Sequence, residues 1–219
     1  MRNFVIAILL TFSTSAAAQI PENALKYAPM LKEVLVKLWP GVGPRSLFAG
    51  QVEQETCVSL KSKRCWSPTT ELKTDREYGF GFGQLTVTKR FNAWEDVKKL
   101  DKELSAWKWE NRYDPAYQLR ALVVYNKSLY NRLPDVIQEK LAFMFAAYNG
   151  GLGGILQDRR LCQNTKDCDP NVWFGHVERT SFKSKIKPKG YGKSFFEINR
   201  EYPRNILFVR STKYANLMD

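Results

Sequence analysis

The chain has 219 residues, 44% of them hydrophobic and 13% aromatic, and carries a formal net charge of +12. That length and apolar content support one globular core and exclude a disordered, fibrous or low-complexity chain. There is one histidine, His176, so a Ser-His-Asp or Cys-His nucleophile system would have to use it as the base.

The N-terminus has a basic start, Met1-Arg2-Asn3, a short apolar run from Phe4 to Phe12, and small residues at Ser15-Ala16-Ala17-Ala18. This is a signal-peptide layout over 1–18, with cleavage expected after Ala18 and export to the periplasm or beyond. The apolar run is too short to span a bilayer comfortably. Residues 22–39 place Leu25, Ala28, Leu31, Leu35 and Leu38 on one helical face until Pro40 and Gly41 break the pattern. Residues 19–44 therefore read as an N-terminal helical segment ahead of a main domain over 45–219. A second helix is expected over about 45–56. With Phe48 set at zero, Val52 lies at roughly +40°, Glu55 at roughly −20° and Glu53 at roughly +140°. Glu55 thus shares the apolar stripe, and Glu53 is expected in solvent.

Residues 57–83, rich in Cys, Ser, Pro, Thr and Gly, read as a long ordered loop. Asn92 is placed to cap a helix running to about Trp107. Asp114-Pro115 puts an acceptor at the N-cap and proline at the first helical position. That helix continues through Leu119, Leu122, Val123 and Tyr130 to near Leu133. Asp135 starts another, apolar nearly all round from Leu141 to Ala147 and so the expected central buried helix; Gly150 and Gly151 end it. Residues 161–195 read as loop with a short helical piece near Val172–Val177, and the basic run from Lys183 to Lys189 as a solvated part of it. A last helix occupies roughly 196–216, with Pro203 kinking it or starting its second half. No run of alternating strands emerges, and the expected fold class is mainly α.

Export changes how the cysteines read. Cys57, Cys65, Cys162 and Cys168 form an even set, which in an oxidising compartment implies disulfides. Four cysteines allow three connectivities, and the local pairs Cys57–Cys65 and Cys162–Cys168 are favoured because each closes a short polar loop. Neither pair is CxxC, and His176 stands alone, so no metal is expected; nor is a cofactor. For an exported basic chain the expected partner is the anionic cell wall or membrane surface rather than nucleic acid. A monomer is expected.

A carboxyl group held against apolar neighbours loses hydration, which raises its pKa and lets it serve as a general acid near neutrality. Glu55 fits that description. It is followed by Thr56 in "ETC", 55–57; "GFGFGQL", 79–85, is a glycine-rich turn delivering Gln84; "AAYNGG", 146–151, ends the buried helix with Tyr148 and Asn149. In this order the three stretches resemble the soluble lytic transglycosylase (SLT) family and its relatives, the goose-type lysozymes. Their pattern is Glu-Ser, then Gly-Leu-Met-Gln, then Ala-x-Tyr-Asn-x-Gly. Thr56 stands in for the serine, and Gly81-Phe82-Gly83-Gln84 for the second motif. "NREYPRNI", 199–206, is similar to the family's closing helix, with Tyr202 in the tyrosine position.

The resemblance covers about residues 45–215 and implies a lysozyme-like helical domain with a substrate groove. It further implies peptidoglycan glycan strands as substrate and Glu55 as catalytic acid. Thr56, Gly81, Phe82, Gln84, Tyr148, Asn149 and Tyr202 become candidate substrate-binding or positioning residues. Glycines 79, 81 and 83 would allow positive φ and close approach of backbone to a ligand. Trp66, Phe82, Trp173 and Phe174 have rings that either line a sugar groove or pack the core. The spacing from Glu55 to Gln84 is longer than the family's usual one, and the extra residues include the Cys57–Cys65 loop. "DREYGFGFGQ", 75–84, looks like the goose-type version, which makes Asp75 or Glu77 a candidate second carboxylate.

Three functional expectations follow. A lytic transglycosylase, a murein lyase of cell wall degradation, would cut between N-acetylmuramic acid and N-acetylglucosamine and leave a 1,6-anhydro end. A goose-type hydrolase would cut the same bond with a second carboxylate. A non-catalytic wall-binding module of a secretion or phage assembly would keep only the fold. In the first two, Glu53 is a solvated neighbour and Glu53→Gln leaves activity largely intact.

Overall fold

The computed structural model describes residues 19–182, 185, 187 and 192–219. The signal-peptide reading lies outside them, as does most of the basic run 183–189. Helix α1, Glu22–Leu38, buries Ala24, Tyr27, Ala28, Leu31 and Leu35 against α5, Pro115–Arg132. Leu25, expected on that face, is exposed instead, because the buried stripe runs through Ala24. Helix α2, Ser46–Thr56, ends at Cys57. Its N-cap residue, Arg45, gives no side-chain cap; the Asp219 carboxylate accepts from the Ser46 N–H (3.0 Å) in its place.

The stretch expected as loop contains a three-stranded antiparallel sheet in the order β1 (Glu71–Lys73), β2 (Tyr78–Phe80), β3 (Leu85–Val87). Leu72 faces Gly79, and Gly79 faces Thr86. Strands of three residues are too short for a period-two pattern to emerge. The helix expected from Asn92 to Trp107 is two: α3, Ala93–Lys98, capped by Asn92, and α4, Lys102–Ser105. Asp101, in extended backbone, interrupts the run because its side chain caps the second piece, accepting from the Glu103 and Leu104 N–H groups. Asp114 caps α5 as expected.

Helix α6, Lys140–Gly150, buries every residue from Ala142 to Ala147. It starts later than Asp135, since Glu139 turns its carboxylate to the Trp173 and Phe174 N–H groups (2.7 and 2.9 Å). Gly151, at φ 79°, turns a corner straight into α7, Leu152–Gln163, so the glycines end one helix and open another. The closing segment is α8, Phe195–Asn205, with a Ser194/Glu197 capping box. A π-type turn at Ile206–Arg210, a 3-10 turn at Thr212–Tyr214 and α9, Ala215–Met218, follow. Pro203 removes a helical N–H just before the chain loosens. Both local disulfides are present, Cys57–Cys65 and Cys162–Cys168.

Two apolar clusters result. The larger collects the buried faces of α1, α2, α5 and α6 with Trp66, Trp173 and Tyr214. The smaller holds Phe80, Leu85, Trp94, Val97, Leu104 and Trp107 under the sheet. Helix α5 serves both, through Leu119, Leu122 and Val123 on one side and Ala121 on the other. The fold is mainly α and lysozyme-like, a helical body with a small sheet lobe. Among the described residues no helix is long and apolar enough to cross a membrane.

Candidate active site

A cleft of about 750 Å³ runs between the two lobes. Glu55, Tyr148, Asn149 and Asn199 line it from the helical body; Glu77 and Gln84 line it from the sheet lobe. A second hollow of about 370 Å³ shares Glu77, Gly83, Gln84, Tyr148 and Asn149 with the first and extends it toward Phe91 and Tyr125. The result is a trough, the shape a polymer needs, rather than a closed pocket.

Glu55 is half-buried in the last turn of α2. Burial pushes its carboxyl up to about 8, and the Tyr202 hydrogen bond pulls the other way. The Tyr202 hydroxyl donates to Glu55 Oε1. Tyr148 stacks parallel to Tyr202 (centroids 6.4 Å apart, interplanar angle 8°), and its hydroxyl donates to the Gly83 carbonyl (2.7 Å). Burial and the neighbouring Glu55 charge hold both tyrosines well above the usual phenol range, so both remain hydrogen-bond donors. The carboxyl therefore sits against the Tyr202 phenol at the end of a buried helix, with Tyr148 stacked on that ring. Such a group is proton-loaded near neutrality and able to give that proton to an atom in the trough.

The glycine turn is built around Gln118 and Tyr148. Gln118 donates to the Pro68 and Arg112 carbonyls (both 2.8 Å) and accepts from the Phe82 N–H (3.0 Å). Of glycines 79, 81 and 83 only Gly81 has positive φ, 74°, and Gln84 itself adopts 44°. Gly83 is demanded by space: a Cβ there would lie 2.4 Å from the Tyr148 hydroxyl. The Gln84 amide donates to the Thr70 and Gly81 carbonyls (3.1 and 2.9 Å), which fixes its side chain on the sheet wall.

The structure thus brings Glu55, Thr56, Gln84, Tyr148 and Asn149 to one cleft, with Tyr202 buried against Glu55. Other expected residues are elsewhere. Phe82, Trp66 and Trp173 are fully buried in the main core, so their rings meet no ligand; Phe174 is partly buried against Phe208. Thr56 is at the cleft, yet it is largely buried with its hydroxyl committed, donating to the Val52 carbonyl (2.7 Å) and accepting from the Trp66 N–H (2.9 Å). It ties α2 to the Cys57–Cys65 loop. Asp75 is exposed at the β1–β2 turn and does not line the cleft, whereas Glu77 does.

Glu53 is the clearest reversal. Expected in solvent, it is 1% exposed. Its carboxylate accepts from Arg210 (2.9 Å), Lys213 (2.9 and 3.0 Å) and the Tyr214 hydroxyl (2.5 Å). The face at +140° is polar because the closing segment covers it with cations.

Three polar residues were not anticipated. Asn199 donates to the Ala146 carbonyl (2.9 Å) and to Asn149 Oδ1 (3.0 Å), which orients Asn149. Gln51 lies one turn before Glu55 and donates to the Tyr202 hydroxyl (3.2 Å). Asn126 is fully buried and donates to Gln51 Oε1 (2.8 Å). A signal existed for two of them. Gln51 shares Glu55's helix face at i,i+4, and Asn126 interrupts the apolar stripe Leu119, Leu122, Leu129. Among the described residues no cluster of His, Cys, Asp and Glu could hold a metal ion.

Part of the chain is similar to curated proteins. Over 101 residues, 44% of this chain and 19% of the relative, it is 34% identical to membrane-bound lytic murein transglycosylase F of Vibrio campbellii. Over 101 residues it is 32% identical to the protein of that name from Vibrio cholerae. Over 66 residues, 29% of this chain and 13% of the relative, it is 36% identical to that of Yersinia pestis. The chain spans about a fifth or less of the length of these relatives. No protein-family model matches it. The partial matches support an SLT-like relationship.

Proposed function

We propose that the chain is a peptidoglycan lytic transglycosylase. The observation that carries this reading is the half-buried carboxyl of Glu55, facing a polymer-shaped trough, pushed up to about 8 and held by Tyr202. In this mechanism the Glu55 proton passes to the glycosidic oxygen between N-acetylmuramic acid and N-acetylglucosamine, and the C1–O bond breaks. The cationic centre is stabilised by the neighbouring N-acetyl group or ring oxygen. Glu55, now ionised, takes the proton of the C6 hydroxyl as O6 bonds to C1, and a 1,6-anhydro ring closes. No water is consumed, and one residue serves as acid and then base. Tyr148 and Tyr202 position Glu55, Gln84 offers its amide oxygen to the sugar, and Asn149 its amide.

The partial similarity to murein transglycosylases supports the same class. The strongly positive net charge suits a chain drawn to the anionic envelope after export, acting there as a monomer. A second reading, hydrolysis of the same bond in the goose-type manner, is favoured by Glu77 on the cleft wall, where it could activate water.

Digestion of purified peptidoglycan followed by mass spectrometry separates the readings, since an anhydro product is one water lighter than a hydrolysed one. Anhydro muropeptides are expected, and Glu55→Gln should reduce their release by about 100- to 10,000-fold. Hydrated products alone would replace transglycosylation with hydrolysis. A fully active Glu55→Gln variant would remove Glu55 from the chemistry.

A further inference from the structure

We propose that Gln51 and Asn126 are positioning residues for Glu55, acting through Tyr202. Their amides dictate the direction in which the Tyr202 hydroxyl points its one hydrogen. The proposal rests on the reading of Glu55 as the acid.

One partner in this series of contacts, the Leu122 carbonyl, has fixed polarity. Asn126, fully buried on α5, donates to the Leu122 carbonyl (2.9 Å). A backbone carbonyl can only accept, so it selects the NH₂ end of the Asn126 amide. That NH₂ group has a second hydrogen, which goes to Gln51 Oε1 (2.8 Å). Gln51 is fully buried as well. With its oxygen committed to Asn126, its own NH₂ must face the other way, 3.2 Å from the Tyr202 hydroxyl. Tyr202 receives that N–H on its oxygen. Its hydrogen is then left for Glu55 Oε1.

Polarity therefore travels from Leu122 through two amides and one phenol to the carboxyl group. Asn126 gives something up to sustain it: its Oδ1 is buried and finds no hydrogen-bond partner among the described residues. A buried acceptor left unsatisfied is a cost that calls for a reason, and here both of that amide's donors are engaged in the chain.

Two consequences follow for Glu55. Because Oε1 is occupied as an acceptor, the neutral acid carries its proton on Oε2, so the proton always leaves from the same oxygen. When Glu55 ionises, the Tyr202 bond becomes charge-assisted and stabilises the anion. Without Asn126, Gln51 is free to turn its oxygen to Tyr202 and capture the hydroxyl hydrogen. Glu55 then loses its donor and ionises at higher pH. The other titratable groups near Glu55 are Tyr148 on α6, Glu53 on its own helix, and Arg64 and Glu77 along the cleft; all are left unchanged in the test.

The test is a carbon-13 NMR titration of the Glu55 carboxyl in the full chain, assigned by the signal missing from Glu55→Gln. Tyr202→Phe should raise the midpoint by roughly one to two pH units. Asn126→Leu should raise it by part of that amount, and the double variant Asn126→Leu/Tyr202→Phe should match Tyr202→Phe alone. The pair Gln51→Leu/Asn126→Leu exchanges both amides for apolar groups and removes the competing oxygen. It guards against misfolding of the single variant, and its midpoint should lie between wild type and Asn126→Leu. A merely structural role predicts shifts of equal size with and without Tyr202, which would overturn the proposal. So would an unmoved midpoint in Asn126→Leu. The titration reads the polarity of the chain whether or not the protein cuts glycan, so its failure is distinct from that of an active Glu55→Gln.

Discussion

Glu55 is kept neutral by burial that opposes its anion, and this has a price in stability with a definite sign. Its pKa in the fold, about 8, lies above the ordinary 4.5. Between those values the unfolded chain has lost the proton and the folded one retains it. The contribution to stability is thus whole below about pH 4.5 and is lost as pH rises toward 8. Glu55→Gln removes the penalty, so the variant should be more stable than wild type at pH 7 by on the order of 1–3 kcal/mol. The gain should vanish by about pH 4.5. Thermal unfolding of both proteins across that range checks it; a gain independent of pH would mean the carboxyl is not desolvated. Activity should fall above about pH 8 as the acid loses its proton. Glu55 could be found from the stripe it shares with Phe48 and Val52. Glu53 could not be assigned, because a helical wheel describes one helix and is silent on what covers its second face.

At the scale of elements, the turn Gly81–Gln84 is the joint between the lobes. Its geometry is held by Gln118 from α5 and Tyr148 from α6. Gly83→Ala would put a methyl group 2.4 Å from the Tyr148 hydroxyl and 3.1 Å from Leu122 Cδ1. The ring must move, the bond to the Gly83 carbonyl must break, and the stack on Tyr202 loosens. Overpacking of this kind costs about 1–3 kcal/mol. Glycan turnover should drop at least about tenfold, since small displacements of positioning groups cost rate heavily. Turnover assays beside melting curves check this, and an unchanged rate would mean that Tyr148 does not position the site. The glycine run marked this element in the sequence, as did the caps at Asn92 and Asp114. Less legible were the strands, each three residues long, and α7, hidden behind glycines that read as a stop. Phe82 sat inside a motif that suggested ligand contact, yet its ring faces inward because the turn packs its back against α1 through Tyr27 (centroids 5.0 Å).

Over the whole molecule, the closing segment is bound to α2 by charge. Glu53 joins Arg210, Lys213 and Tyr214, and Tyr214 accepts from the Trp66 indole N–H (3.0 Å). Glu53→Gln leaves two cations facing a buried neutral group and should cost on the order of 3 kcal/mol. Denaturant unfolding checks the figure; a loss below about 0.5 kcal/mol would mean that the cluster is solvated. The mainly α class was readable from the sequence, as was the set Glu55, Gln84, Tyr148 and Asn149 that meets at the cleft. The pairing of α2 with residues 202–219 was not, since it depends on contacts more than 140 positions apart. Those separations also bear on how the molecule acquires its site. Contacts between distant parts of a chain form against the largest loop-closure entropy and are slow to form. During synthesis the acid-bearing helix emerges first, and its cap at Asp219, its cation cover and the phenol that orients its carboxyl follow more than 140 positions later. The cleft therefore depends on long-range docking: until those helical turns cover α2, Glu55 is an ordinary carboxylate in water.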